Sequence, residues 1–370
     1  MKIVVTGANG FIGKNLVVSL RQNPAFTIQE VTRQTSFEEL KESCKDAAAV
    51  FHLAGVNRPD DPKLFYDGNV DFTRTLIEAV EAAGSKPAIA YASSIKAADS
   101  TDYGISKARA EEALSAFADA QRCPLAIYRL PNVFGKWCRP DYNSVIATFC
   151  DRVARNVEIQ VHDRDVELSL VYIDDVVADF LSLLERAPAA GSKFREISET
   201  YSIRVGDLAD RIQSFYSPDQ RLLIPDVSCP LTKKLYSTFL SYLPKDGFLY
   251  DLEMHADHRG SFTEAFRSWP FGQVSVNVSR PGIVKGDHWH HTKVEKFLVV
   301  RGEAKICFRH VLDDDVFGYE VSGNKLQVVN IPPGYTHSIE NTGSEDMVTI
   351  IWANELFDRE RPDTYAELVA

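Results

Sequence analysis

Three stretches of the chain carry residue types at spacings that could do chemistry. His288-Trp289-His290-His291-Thr292-Lys293-Val294-Glu295 gathers three histidines within four positions, with a glutamate shortly after. On a strand His288 and His290 alternate across one residue and so face the same way. Glu295 and, further on, His337 can complete a set of four ligands, and neutral imidazoles with one carboxylate suit zinc, iron, nickel or manganese. The second stretch, Thr6-Gly7-Ala8-Asn9-Gly10-Phe11-Ile12-Gly13, is a TGxxGxxG turn. Its glycines let backbone N–H groups approach a pyrophosphate at the positive end of a helix. Gly7, Asn9, Gly10, Phe11, Ile12 and Gly13 are thus candidate dinucleotide contacts. The third, Tyr103-Gly104-Ile105-Ser106-Lys107, is YxxxK just downstream of Ser93-Ser94. One helical turn puts tyrosine and lysine on one face. An ammonium there is expected to lower the phenol's pKa and fit it to protonate an alkoxide formed by hydride transfer.

These residues need elements to position them. The apolar run KIVV (2–5) precedes the glycine turn, and an amphipathic segment from Gly10 to about Arg21 follows it. Further strands are expected at 26–32, 48–55, 87–94 and 125–135, with helical patterns at 69–83 and 104–121. That alternation predicts a parallel sheet with crossover helices. The second strand ends Val31-Thr32-Arg33 with no acid at its tip, where a carboxylate would hold the ribose of NAD. An arginine there can take a 2′-phosphate, so NADP(H) is predicted with Arg33 as the contact. Beyond about 246 the texture changes to short alternating runs, QVSVNVS, EKFLVV, AKICFRHV, KLQVVNI and DMVTIIW, separated by turn residues. These predict an antiparallel barrel or sandwich. The expected fold is a Rossmann-type doubly wound α/β domain over 1–245 and a metal-binding all-β domain over 246–370.

Composition bounds the function. At 370 residues, with 45% hydrophobic and 25% charged residues, the chain has material for two ordinary globular cores. A formal charge of −11 argues against a nucleic-acid surface, so an anionic ligand must be held by local donors. Six scattered cysteines without a CxxC pair suit a reducing compartment. No apolar run approaches the roughly 20 residues that span a bilayer. A cytoplasmic protein with no membrane partner is expected.

Taken together, the motifs resemble known families. Residues 1 to about 240 are similar to an extended short-chain dehydrogenase/reductase of the nucleotide-sugar type. The resemblance is carried by TGANGFIG, HLAG (52–55), GNVDFT (68–73), Ser93-Ser94, YGISK (103–107), RLPNVFG (129–135) and VYIDDV (171–176). It implies that Ser94, Tyr103 and Lys107 carry catalysis and that Tyr103 and Lys107 also touch the cofactor. It places His52, Leu53, Ala54 and Gly55 along the dinucleotide, and Ser94, Asn132 and Arg164 toward the substrate. Ile95-Lys96 stand where sugar 4,6-dehydratases have an Asp-Glu pair, which disfavours dehydration. From Gly282 the sequence resembles the first cupin motif, GX5HXHX4EX6G, in full. Pro332, Gly334, His337 and Asn341 fit PxGX2HX3N of the second, although its leading glycine is displaced to Gly323. By that match the metal ligands are His288, His290, Glu295 and His337, with zinc the expected ion, and His291 points to the opposite face. Asp257-His258-Arg259-Gly260 is similar to a D-x-RG segment of cupin-type epimerases acting on 4-keto nucleotide sugars.

Over its whole length the chain resembles the bifunctional capsular polysaccharide enzymes of the CapF/WbjC type. The resemblance implies a UDP-linked 2-acetamido-2,6-dideoxy-4-hexulose as substrate, epimerised at C3 by the cupin and reduced at C4 with NADPH. The product would be UDP-N-acetyl-6-deoxy-L-talosamine, on the route to UDP-N-acetyl-L-fucosamine for capsule or O-antigen. A homodimer is expected, since both parent folds commonly self-associate. The alternative is an NADPH-dependent ketosugar reductase whose cupin only binds or regulates.

Overall fold

The first strands read as unbroken apolar runs because both faces of their sheet are covered. In β1 (Lys2–Thr6), Ile3 and Val5 enter one core and Val4 the other. The computed structural model describes residues 1–185, 190–216, 222–244, 247, 252–291, 293–311, 314–332 and 334–370. The expected domain boundary at 245/246 therefore falls outside the described residues, as do positions 187–189 of the turn-rich stretch before β8.

Beside β1 run β2 (Thr27–Val31), β3 (Ala49–His52), β4 (Ala88–Ser94), β5 (Pro124–Leu130) and, past β6 (Asn132–Phe134) and β7 (Glu167–Tyr172), β8 (Gly191–Arg195). They form one parallel sheet in the order β2-β1-β3-β4-β5-β8. Leu16 and Leu20 of α1 (Phe11–Leu20) pack on one face with Phe180. The other face is covered by Leu40 of α2 (Phe37–Cys44). Past the single turn α3 (Lys63–Phe65), Leu76 of α4 (Phe72–Ala82) and Leu114 of α5 (Asp102–Gln121) complete it. Each fully buried leucine contributes roughly 1.5–3 kcal/mol. Because β2 and β3 flank β1 on opposite sides, the winding reverses there. A crevice opens at the carboxyl ends of β1 and β3, which is where such sheets bind ligands.

The run 125–135, expected as one strand, is two. Pro131 has no N–H to continue the ladder, and β6 leaves the main sheet to pair with β7 and, through it, β9 (Thr200–Arg204). The remaining helices of the first unit are α6 (Val145–Ala154), α7 (Ile173–Glu185) and α8 (Val205–Gln213); α9 (Pro230–Leu240) follows. No helix among the described residues is long and apolar enough to cross a membrane.

Two compact units emerge, residues 1–213 with 234–244, and 214–233 with 245–370. Residues 214–233, expected in the first domain, thus group with the second. That segment takes part in a backbone exchange in which Arg267 N donates to Leu222 O at 2.8 Å and Ile224 N to Arg267 O at 2.7 Å.

The second unit is two antiparallel sheets. The first orders β10 (Met254–Asp257), β11 (Gly260–Ser268), β12 (Gly272–Ser279), β19 (Met347–Ala353), β14 (Glu295–Arg301) and β17 (Val328–Ile331). The other orders β16 (Val316–Ser322), β15 (Glu303–His310), β18 (Tyr335–Asn341), β13 (Val284–Trp289) and β20 (Tyr365–Ala366). Phe297, Val299, Ile306, Phe308, Ile331 and Ile339 form the core. In β13 a bulge shifts the register between Gly286 and His288 and so re-aims the histidine. Gly286 is required there: its φ is +104°, and a Cβ would lie 2.7 Å from His337 O.

A buried histidine fixes the crevice of the first unit. His52, at the end of β3, is fully buried, with Nδ1 2.9 Å from Thr6 Oγ1 and Nε2 2.8 Å from Thr73 Oγ1. Thr6 Oγ1 already accepts from Leu53 N and Ala54 N at 3.2 Å, so its own proton goes to Nδ1. Thr73 Oγ1 donates to Asn69 O at 2.6 Å and so accepts from Nε2–H. The imidazole is therefore neutral and protonated at Nε2. Burial, helped by the Lys107 charge, holds its pKa down at about 3.

The unfolded chain takes up a proton on this ring near 6.5 and the fold refuses it until about 3, so its contribution to stability is lost as pH falls through that window. ¹⁵N NMR should find His52 neutral with Nε2–H at pH 5, and protonation with a midpoint near 6.5 would contradict the network. For the barrel, Gly286→Ala should cost roughly 2–4 kcal/mol in urea unfolding. Gly282→Ala, also at positive φ but with open space around it, should cost only about 1 kcal/mol. Equal costs would show that crowding against His337 is unimportant.

Candidate active sites

The glycine turn of the first unit is built by close approach. Gly7 sits at φ +69° with the place of its missing Cβ 2.7 Å from Ala54 N, and a Cβ on Gly13 would lie 2.2 Å from Gly7 O. Gly7 N donates to Val31 O at 3.0 Å, which brings the tip of β2 to the turn. Arg33 is exposed just past that tip. Asn9 is exposed in the turn, and Phe11 and Ile12 open α1. Gly10 caps α1 without a side-chain hydrogen bond, leaving the helix's first N–H groups to the crevice. Leu53 and Ala54 line the tip of β3, and Gly55 is exposed beside them. His52, expected along the cofactor, is fully buried beneath that surface and bonded to Thr6 and Thr73.

Local turn chemistry brings serine to tyrosine. Ser94 ends β4, and its Oγ accepts from Lys96 N at 3.2 Å to cap a short 3₁₀ turn, Ile95–Ala98. Thr101 Oγ1 then accepts from Gly104 N at 3.1 Å and starts α5. A side chain at 104 would place its Cβ 2.3 Å from Lys96 O, so the short connection depends on glycine. The result brings the Ser94 hydroxyl near enough to the Tyr103 phenol to act on it.

The tyrosine's electrostatics differ from expectation. Burial raises the Tyr103 pKa, and the nearby Ser94 hydroxyl only partly opposes this. The net direction is upward even with Lys107 one helical turn on, whose Nζ donates to Ala92 O at 2.7 Å and lies 4.4 Å from the centre of the Tyr91 ring. Burial draws the Lys107 ammonium itself down to about 7, against the pull of Glu111. The phenol is thus held protonated, the form in which it can donate.

Several supporting residues were not singled out by motif. Asn69 is buried and pins the loop after β3 to α5, with Nδ2 bonding Val56 O at 3.0 Å and Ser106 Oγ at 2.9 Å, and Oδ1 accepting from Val56 N at 2.7 Å. Glu111, one turn beyond Lys107, takes a two-pronged bond from Arg129, at 3.0 and 2.7 Å. Helical spacing alone could have found Glu111. Asn132 and Arg164 are engaged elsewhere. Asn132 Nδ2 donates to Ser169 O at 3.0 Å, and Arg164 pairs with Asp210 at 2.6 Å. The Arg164–Asp210 pair is exposed and screened by solvent, so it leaves the arginine available.

In the second unit four groups from three strands and a loop converge. One ligand atom from each of His288, His290, Glu295 and His337 lies within 4.8 Å of the others. His288 pairs with His337 across β13 and β18, and Glu295 opens β14. His290 Nδ1 lies 2.6 Å from Asp363 O, which can only accept, so Nδ1 carries the proton and Nε2 presents a lone pair. That Nε2 is 3.3 Å from Glu295 Oε2, and His337 Nε2 approaches the same oxygen at 3.5 Å. His337 Nε2 is buried and makes no hydrogen bond. Burial, with the neighbouring imidazoles, lowers His288 to about 4. Lone pairs converging on an ionised carboxylate call for a cation between them, and this donor set fits a divalent metal. His291 is turned away, its ring against Trp289 and Tyr365.

Comparison with known proteins gives these sites a family. Residues 3–198 match the profile of the NAD dependent epimerase/dehydratase family, and residues 255–365 that of the polysaccharide biosynthesis C-terminal domain. A Pseudomonas aeruginosa protein named UDP-2-acetamido-2,6-beta-L-arabino-hexul-4-ose reductase is 44% identical over 366 residues, covering 99% of this chain and 98% of its own length. The crystal structure of the capsular polysaccharide assembling protein CapF from Staphylococcus aureus matches with a TM-score of 0.92 at 49% identity, over 100% of both chains. UDP-glucuronic acid 4-epimerase from Bacillus cereus, crystallised with NAD, shares the fold over 65% of this chain, with a TM-score of 0.55 at 18% identity. The chain belongs to the NAD dependent epimerase/dehydratase family, with a polysaccharide biosynthesis C-terminal domain joined to it.

Proposed function

We propose that the chain acts on a UDP-linked 2-acetamido-2,6-dideoxy-4-hexulose in two steps. The second unit epimerises C3, and the first reduces the C4 ketone with NADPH. The product is UDP-N-acetyl-6-deoxy-L-talosamine, on the route to UDP-N-acetyl-L-fucosamine for capsule or O-antigen. The observation that carries this reading is the 44% identity over 99% of the chain to a protein named as a reductase of such a hexulose. NADPH is favoured over NADH by Arg33, exposed beyond the β2 tip that Val31 O ties to the glycine turn. A cytoplasmic homodimer is the setting this reading expects.

In the first unit the reduced nicotinamide, when bound, supplies the hydride to C4. The work of the chain is to receive the negative charge that then develops on the C4 oxygen. Tyr103 donates its proton there, with the Ser94 hydroxyl beside the phenol. Lys107 lies beside Gly55, where an added Cβ would be 3.8 Å from its Nζ. From that position its charge acts on the dinucleotide side of the site. The Glu111–Arg129 pair beneath keeps α5 fixed against β5.

In the second unit the C4 ketone acidifies the C3 hydrogen, so proton removal and return on opposite faces invert the centre. His288, His290, Glu295 and His337 would hold a divalent metal, for which zinc fits. Such an ion supplies positive charge to a sugar oxygen when bound.

The test of the reductase is NADPH consumption by the purified protein given the 4-keto UDP sugar. The wild type should oxidise NADPH and prefer it to NADH. Tyr103→Phe should lose roughly 10²–10⁴-fold in rate through loss of the proton donor. Full activity in Tyr103→Phe, or equal use of NADH, would overturn the corresponding assignment.

A further inference from the structure

Three of the four metal-seeking groups in the second unit owe their aim to strand ladders. His288 is fixed by its pairing with His337 across β13 and β18, and Glu295 by pairing with Ile331 and Ala353. His290 is different. The last paired residue of β13 is Trp289, against Tyr365, and the chain then leaves the sheet. Beyond the ladder His290 is held by Gly334 N, which donates to its carbonyl at 2.9 Å, and by one residue of the C-terminal segment.

That residue is Asp363. Its carbonyl takes the His290 Nδ1 proton at 2.6 Å, its Oδ1 accepts from His291 N at 3.0 Å, and its Oδ2 accepts from Lys293 N at 2.8 Å. It does this from a left-handed conformation, φ +41°, that turns the carbonyl and carboxylate toward the same loop. Lys293, itself buried, closes the arrangement by donating Nζ to Pro362 O at 2.6 Å and Thr364 Oγ1 at 3.2 Å. The segment is anchored further along, where Glu367 N donates to Asp287 O at 2.9 Å, inside the β13 bulge.

We propose that Asp363 is a positioning residue of the metal site, setting the tautomer and direction of His290 and the path of the loop that follows. The proposal rests on the reading of the four-residue cluster as a metal centre. Outer groups that orient a ligating imidazole change metal affinity by about 10–100-fold when removed. The Asp363 carbonyl is such a group, and the Asp363 carboxylate holds it in place by accepting from the backbone amides of His291 and Lys293.

The experiment measures zinc affinity of the full chain by competition with a chromophoric chelator, and the visible spectrum of the cobalt(II) form. Asp363→Gly keeps the left-handed backbone accessible while removing both side-chain acceptors. It should bind zinc about 10–100-fold more weakly than wild type and show altered cobalt bands. Asp363→Asn, which retains shape but loses one acceptor, should fall between, and it serves if the glycine variant does not fold. Asp358→Asn is the control on the same segment, since the Asp358 carboxylate serves its own turn, taking Glu360 N at 2.8 Å and pairing with Arg361. It should leave both readouts unchanged. Zinc affinity and cobalt bands in the Asp363 variants equal to wild type would overturn the role of Asp363. A wild type that binds neither ion would instead overturn the metal reading itself.

Discussion

In each unit an imidazole sits out of reach of water with its protonation fixed by neighbours rather than by solvent, and the surrounding elements follow from that constraint. A buried polar group without partners costs several kcal/mol. His52 therefore needs a hydroxyl on either side, and Thr6 and Thr73 supply them from β1 and α4. Because Thr6 also takes the N–H groups of Leu53 and Ala54, the same bonds set the two strand tips between which a dinucleotide would lie. In the second unit the equivalent problem is sharper. His290 and His337 direct nitrogens at one carboxylate oxygen in a mostly apolar barrel, an arrangement that a cation resolves.

The chemistry assigned to the first site draws on the same economy. Burial keeps the Tyr103 phenol protonated and weakens the Lys107 ammonium, two consequences of one low-dielectric environment. For a reductase this is the useful direction, because the phenol must give a proton away. Ser94 reaches it through a connection of eight residues that is shaped by two side-chain caps and a glycine.

Much of this was legible in the sequence because the information is local. The glycine turn, the YxxxK turn of helix and the alternating histidines each fall within one or two elements, where period and spacing dictate which side chains meet. The parallel sheet could be read from apolar runs such as Ile3–Val5, and the antiparallel unit from alternation. What escaped was set by tertiary context. Pro131 divides a run that periodicity reads as continuous, and Leu222 and Ile224 are tied to Arg267 by a backbone exchange that no local pattern announces. The bulge at Gly286–His288 needs a partner strand to be seen. The upward shift of the Tyr103 pKa comes from burial, which a motif does not specify. Asp363 lies 73 residues from His290, and nothing in its neighbourhood marks it as belonging to a metal loop.

The central claim is that the second unit carries out its own proton chemistry at C3, independently of hydride transfer in the first. Proton NMR of the protein with the 4-keto UDP sugar in D₂O, without NADPH, tests it most directly. Loss of the C3 proton signal by exchange with solvent is the predicted result. A C3 proton that persists without NADPH, and also in Tyr103→Phe given NADPH, would contradict the claim and leave the barrel as a binding or regulatory module.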